Sequence, residues 1–198
     1  MLYAIAHFLR DRMPWVWDLV DAINSWLFSL RYGRKLHAVE ETVLKKYSQE
    51  TGFKVCRMRE VDVARIVEFF ARQPEEAFTY FKPHKFDAKS VMKLQKNRSF
   101  LAYLLVDESK IAGYCFNRSF FHGKGFRGRM VDADYRGKGL GTLMNRLLNE
   151  IGFGIGLRLF ETVSRDNVAS YRSAMSASNV RVLKELEDNE LFLEIVNR

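Results

Sequence analysis

The chain has 198 residues, 47% of them hydrophobic, so it is long enough for one domain with a full core. Its net charge of +8 indicates an anionic partner, and charge alone does not choose among a phosphorylated small molecule, an anionic membrane and nucleic acid. The two cysteines, Cys56 and Cys115, exclude a disulfide framework and a cysteine-based metal site, and they favour a reducing, cytoplasmic compartment.

The first fifty residues are predicted to be helical. Residues 1–12 are apolar but lack the basic start of a signal peptide, and no apolar run reaches the roughly 18 residues of a spanning helix. From Pro14 apolar residues recur at helical spacing and lead to a basic cluster around Gly33, after which a second helix is expected over residues 36–47. The apolar positions of the first helix are Trp15, Leu19, Ala22, Ile23, Trp26 and Leu30.

An apolar face this wide has to be covered. One interpretation is packing against the rest of the domain or a second subunit, which makes the chain a candidate homodimer. The other is a helix lying in the plane of a membrane, with peripheral contact through residues 1–35 at the inner membrane face. Tryptophans and a terminal basic cluster favour the membrane, whereas Asp18 and Asp21 on the polar stripe weigh against it.

From residue 53 onward the pattern changes to alternating strands and helices. Asp62 and Asp87 are expected to act as N-caps of two helices, and residues 73–87 form an irregular, aromatic-rich loop. The first expected elements are a strand over residues 53–59, helices over 63–71 and 88–95, and a hairpin formed by residues 99–106 and 111–121. The later elements are a strand over residues 126–131, a helix over 141–151, a glycine-rich link, a strand over 157–163, a helix over 168–177 and a hairpin of 180–186 with 190–196.

The most informative stretch joins the strand that ends near residue 131 to the following helix. Gly137, Gly139 and Gly141 alternate there, beside Arg136 and Lys138. Glycine permits φ > 0 and places no Cβ between backbone and ligand, and the first amides of a helix attract anions. The pattern predicts a phosphate held by main-chain amides, although neither a Walker A loop nor a dinucleotide fingerprint fits the spacing.

This stretch resembles the pyrophosphate loop of the GNAT superfamily, the acetyl-CoA-dependent N-acyltransferases. The family pattern Q/R-x-x-G-x-G/A is filled by Arg136, Gly139 and Gly141. The order of elements from residue 53 onward also follows the GNAT order, and Asn167 with Ser170 matches a second family marker. The resemblance implies an α/β (α+β) fold, in which a mixed, mostly antiparallel sheet of about six to seven strands is flanked by helices.

The resemblance also implies an organisation and an activity. Residues 1–50 would be a helical extension and residues 51–198 an acyltransferase domain that transfers an acetyl group from acetyl-CoA to a small amine. The segment from Phe81 to His84 and the apolar extension are similar to GNAT members from bacterial surface-polysaccharide gene clusters. That similarity implies an amino sugar acceptor, nucleotide- or lipid-linked, in polysaccharide biosynthesis.

The resemblance assigns roles to individual residues. Residues expected to bind the coenzyme are Val131, Arg136, Gly137, Lys138, Gly139, Leu140, Gly141, Thr142, Asn167 and Ser170. Candidate catalytic groups are Glu161 and Asp132 as proton acceptors and Tyr171 as proton donor. Candidate acceptor-binding residues are Glu76, Phe81 and His84. No metal is expected, and no nucleic-acid-binding pattern is present in the sequence.

The sequence departs from the family at one catalytic position. Many members carry a tyrosine seven residues after the marker asparagine, as the acid that protonates the leaving thiolate, and Ala174 stands there in this chain. Tyr171, one helical turn earlier, is the candidate in its place. The departure leaves a catalytically inactive CoA-binding module as one alternative to an active enzyme. The net charge of +8 and the N-terminal helices leave a membrane-associated scaffold as another.

Overall fold

A computed structural model describes residues 14–197, so the apolar segment expected over residues 1–12 lies outside the described part. The helices are α1 (Pro14–Thr51), α2 (Val63–Ala71), α3 (Ala88–Lys96), α4 (Leu140–Ile155) and α5 (Val168–Ala177). The strands are β1 (Lys54–Arg57), β2 (Phe100–Asp107), β3 (Lys110–Ser119), β4 (Lys124–Val131), β5 (Arg158–Ser164), β6 (Asn179–Glu185) and β7 (Glu190–Val196). Short 3-10 helices occupy Met58–Glu60, Glu75–Phe78 and Ala133–Tyr135.

Among these residues the strands form one seven-stranded sheet in the order β1-β2-β3-β4-β5-β7-β6. Every neighbouring pair is antiparallel except β4 and β5, which are parallel. The predicted fold class, a mixed and mostly antiparallel sheet flanked by helices, is confirmed.

The parallel pair β4 and β5 separates along its length. The strands are paired from Lys124 with Arg158 to Phe126 with Phe160, and in the described chain the pairing stops there. Both strands continue, β4 to Val131 and β5 to Ser164. Because neither strand fills the space between the diverging ends, a wedge opens in the middle of the sheet.

The core lies on both faces of the sheet. Side chains alternate along β2, so that Leu101 and Tyr103 pack with α1 and α4, whereas Ala102 and Leu104 pack with α2 and α3. Helices α2 and α3 begin where the sequence predicts. Their predicted N-caps are confirmed, since Asp62 accepts a hydrogen bond from the Ala64 amide and Asp87 accepts one from the Ser90 amide.

Helix α1 corrects the expectation of two separate helices. It runs without a break through Gly33, although glycine costs about 1 kcal/mol relative to alanine inside a helix. Tyr32 and Leu36 on either side are buried, and full burial of such side chains contributes about 1.5–3 kcal/mol each, which outweighs that cost. The second half of α1 therefore shares a core with the sheet, and the division at residues 50 and 51 stays a prediction.

The prediction of a glycine-rich link after residue 151 is also wrong, because Gly152 and Gly154 belong to α4. A Cβ on Gly152 would lie 2.7 Å from Leu159 Cδ2, and one on Gly154 would lie 2.9 Å from Val39 Cγ1. These glycines let α4 approach the sheet and α1 closely. The first expected strand is shorter than predicted, since residues 58–60 form a 3-10 helix. Within residues 14–197, none of the helices combines the length and apolarity needed to cross a membrane.

Candidate active site

A cleft of about 760 Å³ lies where β4 and β5 separate. Its walls are the ends of these two strands, the glycine loop before α4, one side of α5, and the aromatic-rich loop after α2. A second cavity of about 690 Å³ lies between α1 and α4, and none of the predicted site residues lines it. Of these two cavities, only the cleft between the diverging strands is lined by predicted site residues.

The glycine loop presents bare backbone to this cleft. Gly137 and Gly139 have φ of +76° and +80°, and a Cβ at either position would meet nothing within 4 Å. Helix α4 starts with Gly139 as its N-cap, whose carbonyl accepts the first helical hydrogen bond from the Leu143 amide at 3.1 Å. In the described part of the chain, the N–H groups of residues 137–142 have no acceptor. Such a run of unpaired amides at a helix N-terminus suits a phosphate group.

Nine of the ten residues expected to bind the coenzyme line the cleft. They are Val131, Arg136, Gly137, Gly139, Leu140, Gly141, Thr142, Asn167 and Ser170. Lys138 does not line it, because its ammonium group lies 5.1 Å from the ring centroid of Tyr135 and donates a hydrogen bond to the Asp134 carbonyl. The loop cation that faces the cleft is thus Arg136.

Asn167 has a structural role as well as a place in the cleft. Its Oδ1 accepts a hydrogen bond from the Ser170 amide at 3.1 Å, which caps α5. The hydroxyl of Ser170 accepts a hydrogen bond from Arg129 Nη2 at 3.0 Å. The two marker residues therefore fix the start of α5 against β4.

Glu161, a predicted proton acceptor, lies between two arginines. Its oxygens accept hydrogen bonds of 2.6 Å from Arg127 Nε and from Arg129 Nη1, and all three side chains are at most 6% exposed. Burial by itself raises the pKa of a carboxyl group, but the charges of Arg129 and Arg127 outweigh it and hold the pKa of Glu161 below its usual range. A carboxylate with a lowered pKa is a weak base, so the arrangement favours a structural role.

The two arginines are the main site residues that were not predicted. Arg127 Nη1 donates to Asn149 Oδ1, and Nη2 is buried with no partner among the described residues. Two guanidinium groups against one carboxylate leave a net positive charge at the base of the cleft. The signal in the sequence is the alternation F-R-G-R-M-V, which places both arginines on the same strand face as Val131.

Asp132, the other predicted proton acceptor, does not line the cleft. It is 2% exposed and accepts hydrogen bonds of 2.8 Å from Arg72 Nε and Gln73 Nε2. Burial opposes ionisation, but these hydrogen bonds hold its pKa below the usual range. Asp132 also accepts a hydrogen bond from the Asp134 amide. It ties the start of the glycine loop to the end of α2 and is not brought together with Glu161.

The tyrosine predicted as proton donor also lies outside the cleft. Tyr171 packs against the hydrophobic core, and Ala174 is fully buried on the same helix. The tyrosines that do line the cleft are Tyr80 and Tyr135. The Tyr135 hydroxyl donates a hydrogen bond to Asp107 at 2.7 Å, which raises the pKa of Tyr135, whereas the Tyr80 side chain is 52% exposed.

Two of the three candidate acceptor-binding residues line the cleft. Glu76 and Phe81 do so, together with Tyr80. His84 instead packs among the rings of Phe70, Phe86, Phe100, Tyr114 and Phe116, with its Nε2 atom 2.9 Å from the Tyr114 hydroxyl. Burial lowers the pKa of His84. The histidine supports the loop, while Glu76 and Phe81 line the cleft. Among residues 14–197, no group of three His, Cys, Asp or Glu side chains is arranged to hold a metal ion.

Comparison with known protein families decides the class of the protein. Residues 62–174, more than half of the chain, match the model of the Acetyltransferase (GNAT) family. The chain belongs to the GNAT family. Its members are acetyl-CoA-dependent N-acyltransferases, so the predicted enzyme class and donor are confirmed at the level of the family. No curated protein sequence matches this GNAT chain significantly.

Solved structures support the same fold. The GNAT domain of S. lividans PAT has a TM-score of 0.63 at 15% identity, over 72% of this chain and 89% of that one. A ribosomal-protein-S5-alanine acetyltransferase from Vibrio fischeri has a TM-score of 0.61 at 17% identity, over 72% and 91%. AAC(6')-Ib in complex with paromomycin and acetyl-CoA has a TM-score of 0.56 at 19% identity, over 73% and 92%. At these identities the similarity shows the GNAT fold alone.

Proposed function

We propose that this GNAT enzyme transfers the acetyl group of acetyl-CoA to the amine of an amino sugar, nucleotide- or lipid-linked, in the cytoplasmic stage of surface-polysaccharide synthesis. The observation that carries the donor half is the row of unpaired amides at residues 137–142, which opens on the cleft between β4 and β5. The acceptor half is supported by the residues on the opposite side of that cleft.

The donor side fits a diphosphate. The amides of the glycine loop and the start of α4 supply hydrogen-bond donors, and the helix dipole and Arg136 supply positive charge. The bare positions Gly137 and Gly139 leave the backbone open to a ligand, since a Cβ there meets no neighbour. Acetyl-CoA brings a reactive thioester, and the wedge between β4 and β5 offers room for the arm that carries it.

The reaction requires two proton movements. The amine attacks the thioester carbonyl, a C–N bond forms and the C–S bond breaks, the amine loses a proton and the leaving thiolate gains one. Glu76 lines the acceptor side and has no ion-pair partner within residues 14–197, so we assign it the proton from the amine. Tyr80 is placed to donate to the thiolate, and main-chain N–H groups near Val131 would stabilise the oxyanion.

The acceptor side suits an amine on a ring. Phe81 and Tyr80 provide aromatic surface, and Glu76 provides a negative charge for an ammonium group. One structural relative, the aminoglycoside acetyltransferase AAC(6')-Ib, was solved with coenzyme A and kanamycin. This relationship supports a sugar-borne amine as the acceptor, together with the sequence similarity of the segment around Phe81.

A CoA-binding module without turnover is the second candidate. This candidate is favoured because neither residue of α5 considered as the proton donor offers a hydroxyl to the cleft. Tyr171 packs against the core, and Ala174 carries no hydroxyl. On that account the cleft binds the coenzyme but no side chain of α5 protonates the thiolate.

Release of free CoA thiol distinguishes these functions. The purified protein would be given acetyl-CoA with nucleotide-linked amino sugars, with their N-acetylated forms as matched controls, and with amino acids and peptides. We expect thiol release above basal hydrolysis with the free amino sugars and none with the N-acetylated forms. Acetylation of peptides without sugars would contradict the acceptor class. Coenzyme binding without turnover across the whole panel would establish the inactive module.

A further inference from the structure

The first half of α1 packs against the domain mainly through polar side chains, with Phe28 as a fully buried apolar contact. Asn24 Nδ2 donates to Ser99 Oγ at 2.9 Å and to the Ser119 carbonyl at 3.0 Å. The hydroxyl of Ser25 accepts a hydrogen bond from the Arg98 amide at 2.8 Å. A surface helix of a globular protein ordinarily does the opposite and turns its apolar side inward.

The apolar side of this half faces away from the protein. Five large apolar residues recur there every three or four positions, and we call this stripe the outer apolar face. They are Trp15, Leu19, Ile23, Trp26 and Leu30. Their exposed fractions lie between 49% and 66%. Val20 at the edge of the stripe is also exposed. An exposed apolar surface of this extent marks a binding surface.

The two acidic residues in the first half of α1 pair with cations of the domain. Asp18 forms an ion pair with Lys93, and Asp21 forms one with Arg118 at 3.4 Å. These two carboxylates are the residues that weighed against membrane contact in the sequence. Because the domain neutralises them, they no longer oppose an anionic surface.

Cations border the outer apolar face. Arg31, Arg34 and Lys35 follow its last residue on exposed positions of the helix, and Arg98 lies beside it. Within residues 14–197 none of these four side chains has a carboxylate partner. Arg31 donates instead to the carbonyl of Phe121, an aromatic residue that is itself 42% exposed. The border is therefore positive, and its charge is free to bind anions.

We propose that the outer apolar face binds an anionic lipid surface, with α1 lying in the membrane plane. Tryptophan and leucine side chains would enter the boundary between headgroups and acyl chains, while the cations would contact lipid phosphates. A second copy of the chain is a poorer occupant, because a two-fold interface brings the same patch against itself. Within residues 14–197 the patch carries no unpaired carboxylate for the cations of a second copy, whereas anionic lipids supply phosphate charges.

The chain carries its own reporter for this proposal. All three of its tryptophans, at positions 15, 17 and 26, lie in the first half of α1. The full chain would be mixed with vesicles of phosphatidylcholine alone and of phosphatidylcholine with phosphatidylglycerol, and tryptophan emission and flotation would be measured. We expect a blue shift and flotation with the anionic vesicles, and much less of both with the neutral ones.

Two variants test which residues are responsible. Trp15→Ser with Trp26→Ser should weaken flotation with anionic vesicles at least tenfold, and Arg34→Gln with Lys35→Gln should remove the preference for anionic lipid. Leu183→Ser is the matched control, because this side chain is 43% exposed on β6 and should leave flotation unchanged. Unchanged coenzyme binding would show that the variants fold.

Three outcomes would overturn the proposal. They are the absence of flotation and blue shift with anionic vesicles, vesicle binding that the double tryptophan variant leaves intact, and a blue shift without lipid that follows protein concentration. The last result, with a dimer in sedimentation, would assign the outer apolar face to a second copy.

Discussion

Glu161 Oε1 lies 2.6 Å from Arg129 Nη1, at a level where the strands that carry these residues have stopped pairing. Arg127 binds the other oxygen of Glu161. Beyond the last backbone pairing of β4 with β5, these ion pairs connect the two strands across the wedge. The wedge that admits a ligand is therefore held at a defined width by charge.

Removing the carboxylate should destabilise the protein strongly. Glu161→Gln leaves two buried guanidinium groups without their counter-charge, and breaking a buried pair in this way costs about 3–5 kcal/mol. Chemical denaturation would measure the loss. Glu185→Gln is the matched control, since Glu185 pairs with Arg165 at the surface and should cost less than about 1 kcal/mol. Equal losses in the two variants would mean that the buried cluster does not hold the strands.

The buried histidine should make stability depend on pH. Because burial lowers the pKa of His84, the folded protein binds the proton less well than the unfolded chain, whose histidine titrates near pH 6.5. The stabilisation is complete above that pH and is lost as pH falls through it toward the folded pKa, with a slope of at most about 1.4 kcal/mol per pH unit.

Denaturation of wild type and His84→Gln between about pH 7.5 and 5 would show this dependence, because the difference in slope belongs to this side chain. Parallel curves for wild type and the His84 variant would contradict the assignment.

A methyl group in the glycine loop should weaken coenzyme binding. The added methyl group of Gly139→Ala would contact no neighbouring atom, but the φ of +80° at this position strains any residue other than glycine by about 1–2 kcal/mol. We expect the loop to shift in response, so that its amides lose their alignment. We expect about a tenfold rise in the dissociation constant for CoA by calorimetry. Gly33→Ala, inside α1, should leave binding unchanged and raise stability by about 0.5–1 kcal/mol. If both variants bind CoA as wild type does, the loop is not the phosphate site.

The proton donor can be assigned by two tyrosine variants. A general acid contributes about 10²–10⁴ in rate, so Tyr80→Phe should lower kcat substantially if Tyr80 donates to the thiolate. Tyr171→Phe should change kcat less than about threefold, because Tyr171 packs against the core and its hydroxyl serves no group in the cleft. A loss of a hundredfold or more in Tyr171→Phe would restore it as the acid that the sequence suggests.

The glycine loop and the caps Asp62 and Asp87 were predictable because each depends on residues a few positions apart. The ion pairs of Glu161 were not, since they depend on which strands become neighbours. Periodicity showed that α1 has an apolar side, but its direction follows from distant partners such as Ser99 and Ser119. Likewise, Gly152 was predicted to lie in a link and not in a helix, because the sequence does not show that Leu159 packs closely against it.

Titration calorimetry with two donors tests most directly whether the amides of residues 137–142 hold the diphosphate of acetyl-CoA. Acetyl-CoA carries the diphosphate and S-acetylpantetheine does not, while both carry the same thioester. We predict saturable binding of acetyl-CoA at one site and at least about hundredfold weaker binding of S-acetylpantetheine, the loss expected for several charge-assisted hydrogen bonds. Equal affinities, or no binding of acetyl-CoA, would contradict the account.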